Sequence, residues 1–155
     1  MLSGYNTQQV CESGHQITPG IEVYPEKMET FCQKCGDPTL TACPSCETPI
    51  RGFPRQVRRD TLESIVTVPS YCHECGQPYP WTKKEIVQTF IEFGNLEEEE
   101  KATIEQDVEN IAKDGAEAEL SAHRIKRIWE KGKAICYEPI MDFASRTAAH
   151  ILKGP

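Results

Sequence analysis

The chain has 155 residues, a net charge of −7, 26% charged and 38% hydrophobic side chains, and only 8% aromatics. The acidity is spread over both halves, which excludes the broad basic surface that strong non-specific nucleic-acid binding uses. No apolar run approaches a membrane span, and "MLSGYNTQQV" has neither a basic start nor an apolar stretch, so a cytoplasmic protein without a signal peptide is expected.

Composition breaks at Trp81, with seven of the eight cysteines and nine of the eleven prolines before it. The first part is made of short β-prone pieces, "QQVC", "METFC", "TLTAC" and "SIVTVPSYC", interrupted by Gly and Pro. A segment so poor in large side chains buries little apolar surface, and small cores of this kind rely on disulfides or a metal. Cytoplasmic thiols stay reduced, so cysteines in x₂-spaced pairs read as metal ligands.

Four ligand pairs stand out: Cys11 with His15, Cys32 with Cys35, Cys43 with Cys46, and Cys72 with Cys75. The x₂ spacing folds a tight knuckle in which both sulfurs face one ion while backbone N–H groups donate to them. Gly36 and Gly76 follow two of the second cysteines, where a positive φ turns the chain away; Glu47 departs from that pattern. Eight N/S ligands supply two tetrahedral zinc sites with no open coordination position, so these ions should hold the fold and not activate water. Sequential closure joins Cys11, His15, Cys32 and Cys35 in one site and Cys43, Cys46, Cys72 and Cys75 in the other. A cross-brace of alternate pairs is the second arrangement. A third, in which Cys32, Cys35, Cys43 and Cys46 share one ion, requires a very short hairpin. His15 is the weakest of the eight ligands, a surface histidine being the plain alternative, and His73 reads as exposed inside its knuckle.

Between the third and fourth pairs, "RGFPRQVRR" gathers Arg51, Arg55, Arg58 and Arg59 beside Phe53. Such a loop can present arginines to phosphates while an aromatic stacks on a base. The plainer reading is a solvated loop that offsets acidic surroundings. In "PYPW", Tyr79 and Trp81 are expected to pack the ribbon onto the first helix.

Beyond Trp81 the pattern turns helical. Thr82 to Glu85 reads as a capping box opening a helix with Ile86, Val87, Phe90 and Ile91 on one face, ending near Gly94. Asn95 is the expected cap of a second helix, with "EEEE" in its first turn opposing the dipole and Ile104, Val108 and Ile111 as its seam. A third helix spans roughly residues 116–131 with Leu120, Ile125, Ile128 and Trp129. Pro139 opens a last one through Ile140, Phe143, Ala144, Thr147, Ala148 and Ile151. Cys136, alone in "KAICYEP", reads as a small buried hydrophobe, because nothing places His123 or His150 beside it.

The segments "CESGHQIT", "FCQKCGDPTLTACPSCETPIRG" and "YCHECGQPYPW", followed by a helical tail, resemble the bacterial domain of unknown function 2321. The resemblance implies a zinc-ribbon protein with the eight ligands above and supplies no activity or partner. The expected fold is therefore α+β, a small zinc-stabilised tandem β-ribbon over residues 1–80 followed by an amphipathic helical region over residues 81–155. With no catalytic constellation in view, the expected function is a non-enzymatic binding module or adaptor carrying two Zn²⁺, whose helical half docks a partner protein or another copy. The alternative is a nucleic-acid-binding regulator that uses the arginine loop 51–59.

Overall fold

The computed structural model describes residues 4–56, 66–93, 95–113, 115–132, 138–141 and 144–153. Small antiparallel strands occupy the first half and helices the second, an α+β chain that divides into two units, Met1–Trp81 and Thr82–Pro155.

In the first unit, strand β2 (Gln9–Cys11) is the central element, fully buried along its length. It pairs on one side with β3 (Gln16–Thr18) and on the other with β4 (Thr39–Leu40), giving the order β3-β2-β4. A separate ribbon joins β1 (Tyr5–Thr7) to β5 (Arg51–Pro54), also antiparallel. Of the β-prone pieces in the sequence, only "QQVC" and "TLTAC" contribute named strands among the described residues; "METFC" and the described part of "SIVTVPSYC" contribute single bridges at Phe31 and Tyr71.

Polar side chains do much of the ordering around β2. Gln9 is 4% exposed; its amide nitrogen donates to the Glu29 carbonyl and to Thr39 Oγ1, both at 2.8 Å, and its Oε1 accepts from the Glu29 N–H at 3.1 Å. Gln8 donates from Nε2 to the Arg51 carbonyl at 2.7 Å and accepts from Gln16 Nε2 at 2.9 Å. A buried amide with its bonds made fixes the position of otherwise irregular loops. Gly52 allows a close approach: a Cβ there would stand 2.1 Å from the Pro19 carbonyl oxygen. Two hairpin ends and β2 then meet in one apolar cluster of Val10, Ile50, Tyr79, Cys43 and Cys72.

The second unit is built on α2 (Glu98–Ile111), α3 (Ala116–Gly132) and α5 (Arg146–Lys153), with α3 packed on both others. Ile104, Val108, Ile111, Ile125 and Ile128 form the buried seam, and Leu120, expected in it, is 53% exposed. Its buried neighbours on α3 are small, Ala118, Ser121 and Ala122, and Ser121 bonds Asp107 and Asn110 of α2. Helix α1 (Pro80–Phe93) starts at Pro80, so Thr82 lies within its first turn and is not the N-cap. Proline suits that opening position because its missing N–H would have had no helical partner. Helix α2 is capped by Glu97, not Asn95, with Glu100 returning a bond to the cap N–H. The expected last helix is two, α4 (Glu138–Met141) and α5, because Ser145 starts the chain afresh, its Oγ accepting from the Ala148 N–H at 3.3 Å. Phe143 lies outside the described residues.

Asp107 is fully buried and is held by Ser121 Oγ at 2.8 Å and by the Arg124 guanidinium, with Nε at 2.9 Å from Oδ2. Removing the carboxylate strands the half-buried Arg124 and the buried Ser121. Asp107→Ala is therefore expected to destabilise the helical unit by about 3 kcal/mol, seen as loss of helix signal at lower denaturant; a change within about 0.5 kcal/mol, the usual range for surface substitutions, would contradict this role.

Candidate metal centres

Three segments of the first unit, residues 30–39, 41–50 and 70–79, share one backbone design. Their sequences, TFCQKCGDPT, TACPSCETPI and SYCHECGQPY, keep a hydroxyl residue, two cysteines and a proline in the same places. In each, the first cysteine N–H donates to the carbonyl five residues on: Cys32 to Asp37 and Cys43 to Thr48 at 2.8 Å, Cys72 to Gln77 at 2.9 Å. The residue after the second cysteine donates back to the first cysteine carbonyl, Gly36 at 2.8 Å and both Glu47 and Gly76 at 2.9 Å. The hairpin closes where Thr39, Ile50 and Tyr79 donate to the carbonyls of Thr30, Thr41 and Ser70. Proline falls at the bridge positions opposite Phe31, Ala42 and Tyr71, where the neighbouring residues carry the donors and its missing N–H is not required. This threefold repeat of a ligand hairpin, with its proline and hydroxyl positions, was legible in the sequence beyond the x₂ cysteine spacing.

The remaining ligand pair uses a different turn. Cys11 ends β2 and His15 precedes β3; the Cys11 N–H donates to the His15 carbonyl at 3.0 Å and the Gly14 N–H to the Cys11 carbonyl at 2.8 Å. Gly14 has φ +85°, and a Cβ there would stand 3.1 Å from Trp81 Cβ, so a side chain would be both strained and crowded. The ladder of β2 with β4, Val10 opposite Leu40 and Cys11 opposite Thr39, sets this turn beside the hairpin of Cys32 and Cys35.

The ligand atoms gather in two groups, Cys11, His15, Cys32 and Cys35 in one and Cys43, Cys46, Cys72 and Cys75 in the other, each with all atoms within 4.8 Å of one another. Neither the cross-brace nor the shared site of the two adjacent knuckles is the arrangement found. Distances identify the shape. A tetrahedral ion with metal–sulfur bonds of about 2.3 Å and metal–nitrogen bonds of about 2.05 Å has S···S edges of about 3.8 Å and S···N edges of about 3.6 Å. The Sγ atoms of Cys11 and Cys35 are 3.7 Å apart, those of Cys43 and Cys75 3.8 Å, and those of Cys46 and Cys72 3.7 Å. His15 presents Nδ1, 3.5 Å from Cys11 Sγ and 3.6 Å from Cys32 Sγ. A disulfide would bring two sulfurs to about 2.05 Å, and the cysteines of both groups are free thiols.

Electrostatics favour a cation in each group. Backbone N–H groups aim at the sulfurs, His15 at Cys11 Sγ from 3.2 Å and Ser45 at Cys43 Sγ from 3.4 Å. Burial raises the Cys32 thiol, but the N–H groups of Lys34 and Cys35 overcome it and bring the pKa to about 7. The Thr48 hydroxyl, aided by its N–H, lowers Cys46 to about 6. Desolvation, with the neighbouring sulfurs of Cys46, Cys72 and Cys43, pushes Cys75 up to about 12. Four sulfurs this close cannot all be ionised without a positive charge among them, which a metal ion would supply. In both groups the first cysteine of every hairpin is buried and the second lies at the surface.

The other candidate residues are dispersed. Arg51 is exposed and lies over the Tyr5 ring, 4.4 Å from its centroid. Arg55 acts on the Glu22 carboxylate, and Arg58 and Arg59 lie outside the described residues. Phe53 is 2% exposed, beneath Tyr24 and Gly20, so it has no face to offer a base. His73, His123 and His150 are exposed, and Cys136 lies outside the described residues.

Glu47 has φ +61° in the position where Gly36 and Gly76 have +79° and +71°. A non-glycine residue pays about 1–2 kcal/mol in this region, partly offset by the greater chain entropy glycine loses on folding. Glu47→Gly is expected to stabilise the metal-loaded first unit by up to about 1 kcal/mol, read as a higher denaturation midpoint. A lower midpoint would mean that the glutamate side chain does more than occupy the turn.

Comparison with curated proteins and with solved structures returned no match. The family described as "Uncharacterized protein conserved in bacteria (DUF2321)" matches residues 4–152, nearly the full length and all eight ligands. With two four-ligand centres inside the matched span, the chain belongs to this bacterial family.

Proposed function

We propose that the protein is a cytoplasmic, non-enzymatic binding module in which two structural Zn²⁺ ions make a rigid tandem ribbon, and the helical half engages a partner protein or a second copy. The observation that carries this reading is that each centre has four protein donors at tetrahedral spacing. A zinc ion so enclosed has no position left for water or substrate. Thiolate-rich tetrahedral sets suit zinc over the harder divalent ions, and thiolates persist in a reducing compartment. A Cys₄ set with Zn²⁺ carries −2 and a Cys₃His set −1, which makes the acidic first unit more acidic still.

Nucleic-acid binding is the second reading, and one observation favours it. Arg51 on Tyr5 stands at the edge of a cavity of about 490 Å³ lined also by Tyr71 and His73. A cation beside an aromatic face is a common feature of single-strand binding surfaces.

A tagged chain captured from its own bacterium, followed by reassembly from purified components, separates the two readings. The adaptor reading expects a protein component that rebinds the purified chain with micromolar affinity or better, that is, about −8 kcal/mol or stronger, and that is lost with the Cys72→Ser protein. A labelled single-stranded oligonucleotide bound at low salt and released by Arg51→Glu or Tyr5→Ala would favour the second reading instead. Turnover of a substrate that survives both substitutions would refute each.

A further inference from the structure

Tyr79 is 1% exposed, packed among Val10, Ile50, Cys43 and Cys72, and its ring stacks on Trp81 with centroids 4.6 Å apart. Its hydroxyl is buried and makes no hydrogen bond to the described residues. Burying a hydroxyl without a partner costs about 1–3 kcal/mol, and a phenylalanine would fill the same space without that cost. The hairpin register places Tyr79 and Cys72 on one face. Cys72 pairs with Gln77, and Tyr79 stands two residues beyond Gln77 on the same face, the diagonal neighbour within reach of an aromatic side chain.

The repeat supplies an internal comparison. The positions equivalent to Tyr79 are Thr39 and Ile50. Thr39 Oγ1 already donates to the Glu29 carbonyl at 2.5 Å, and Ile50 has no donor to give. Of the three, only the third hairpin carries at this position a buried O–H that no acceptor receives. A neutral thiol is a poor acceptor, whereas a metal-bound thiolate is a good one.

We propose that the Tyr79 hydroxyl donates a hydrogen bond to the metal-bound thiolate of Cys72, making Tyr79 a positioning residue of the second centre. The inference rests on the reading that Cys43, Cys46, Cys72 and Cys75 hold an ion. The donor withdraws charge from the Cys72 sulfur, lowers its nucleophilicity and eases the burden of a −2 centre whose first cysteines are buried. Cys43, with Ile50 at the equivalent place, receives no such bond, which makes the two halves of the centre chemically unequal.

Cadmium NMR of the cadmium-loaded full chain, with chelator competition, tests this. Wild type should bind two cadmium ions and give two resonances, one for the four-sulfur set and one for the set with histidine. Tyr79→Phe should keep both ions, shift the four-sulfur resonance alone and weaken that centre about tenfold, the scale of an outer-shell donor. Uniform fluorotyrosine labelling keeps the fold, makes the phenol a stronger donor and should move the same resonance the opposite way. An unshifted resonance in Tyr79→Phe, with equal or tighter binding and a gain in stability from losing an unpartnered hydroxyl, overturns the proposal. A wild-type chain that binds only one cadmium removes the centre itself, a distinct failure.

Discussion

Everything in the first unit depends on bringing four mutually repelling sulfurs, or three sulfurs and an imidazole, to within bonding range of a single point. Without a cation the arrangement is unfavourable, because ionising one thiol raises the cost of ionising the next. With a tetrahedral ion the same repulsion becomes attraction to a common centre, and the free energy of metal binding becomes free energy of folding. The unit has few other resources. Its apolar cluster consists of Val10, Ile50 and Tyr79 together with two of the ligands themselves, Cys43 and Cys72. The ligands are thus part of the core, and core and centre form or fail together.

Around that constraint the chain economises by repetition. One hairpin, with a hydroxyl residue to receive the closing N–H and a proline at the bridge, is used three times. It is paired once with its like and once with the tighter Cys11–His15 turn. The β2–β4 ladder and the fully bonded amide of Gln9 align the unlike pair, where no symmetric partner hairpin exists to do so. In the like pair, Ile50 and Tyr79, equivalent residues of the two hairpins, share one apolar cluster with Cys43 and Cys72. One of the two brings a hydroxyl and the other does not, and the proposed difference between Cys72 and Cys43 follows from that substitution.

Much of this was readable from residues alone, for a definite reason. A Cys-x₂-Cys knuckle is a local structure whose geometry is set by spacing, so the eight ligand positions and the break at Trp81 stand out in the sequence. The seams of α2 and α3 also follow from period, as Ile104, Val108, Ile111, Ile125 and Ile128 show. What spacing does not encode is long-range. The strands β1, β3 and β5 are three or four residues long, with little alternation, and β3 and β5 are tied together through Gln8, which bonds Gln16 and the Arg51 carbonyl. Leu120 lies on the expected stripe yet is exposed, while the small residues Ala118, Ser121 and Ala122 are the buried ones beside it. The cap at Glu97 displaced Asn95 because a carboxylate two residues later could complete a capping box with Glu100. Phe53 reads as an exposed stacking ring beside arginines, but the absence of a side chain at Gly20 lets it turn inward.

X-ray absorption at the metal edge of the chain purified without added metal or chelator addresses the centres most directly. Two zinc ions per chain are expected, with a ligand shell almost wholly of sulfur at about 2.3 Å and a minor nitrogen component at about 2.05 Å, in the proportion of seven cysteines to one histidine. A shell dominated by oxygen and nitrogen, or sulfurs bonded to one another at about 2.05 Å, would contradict the closed tetrahedral centres on which the fold rests.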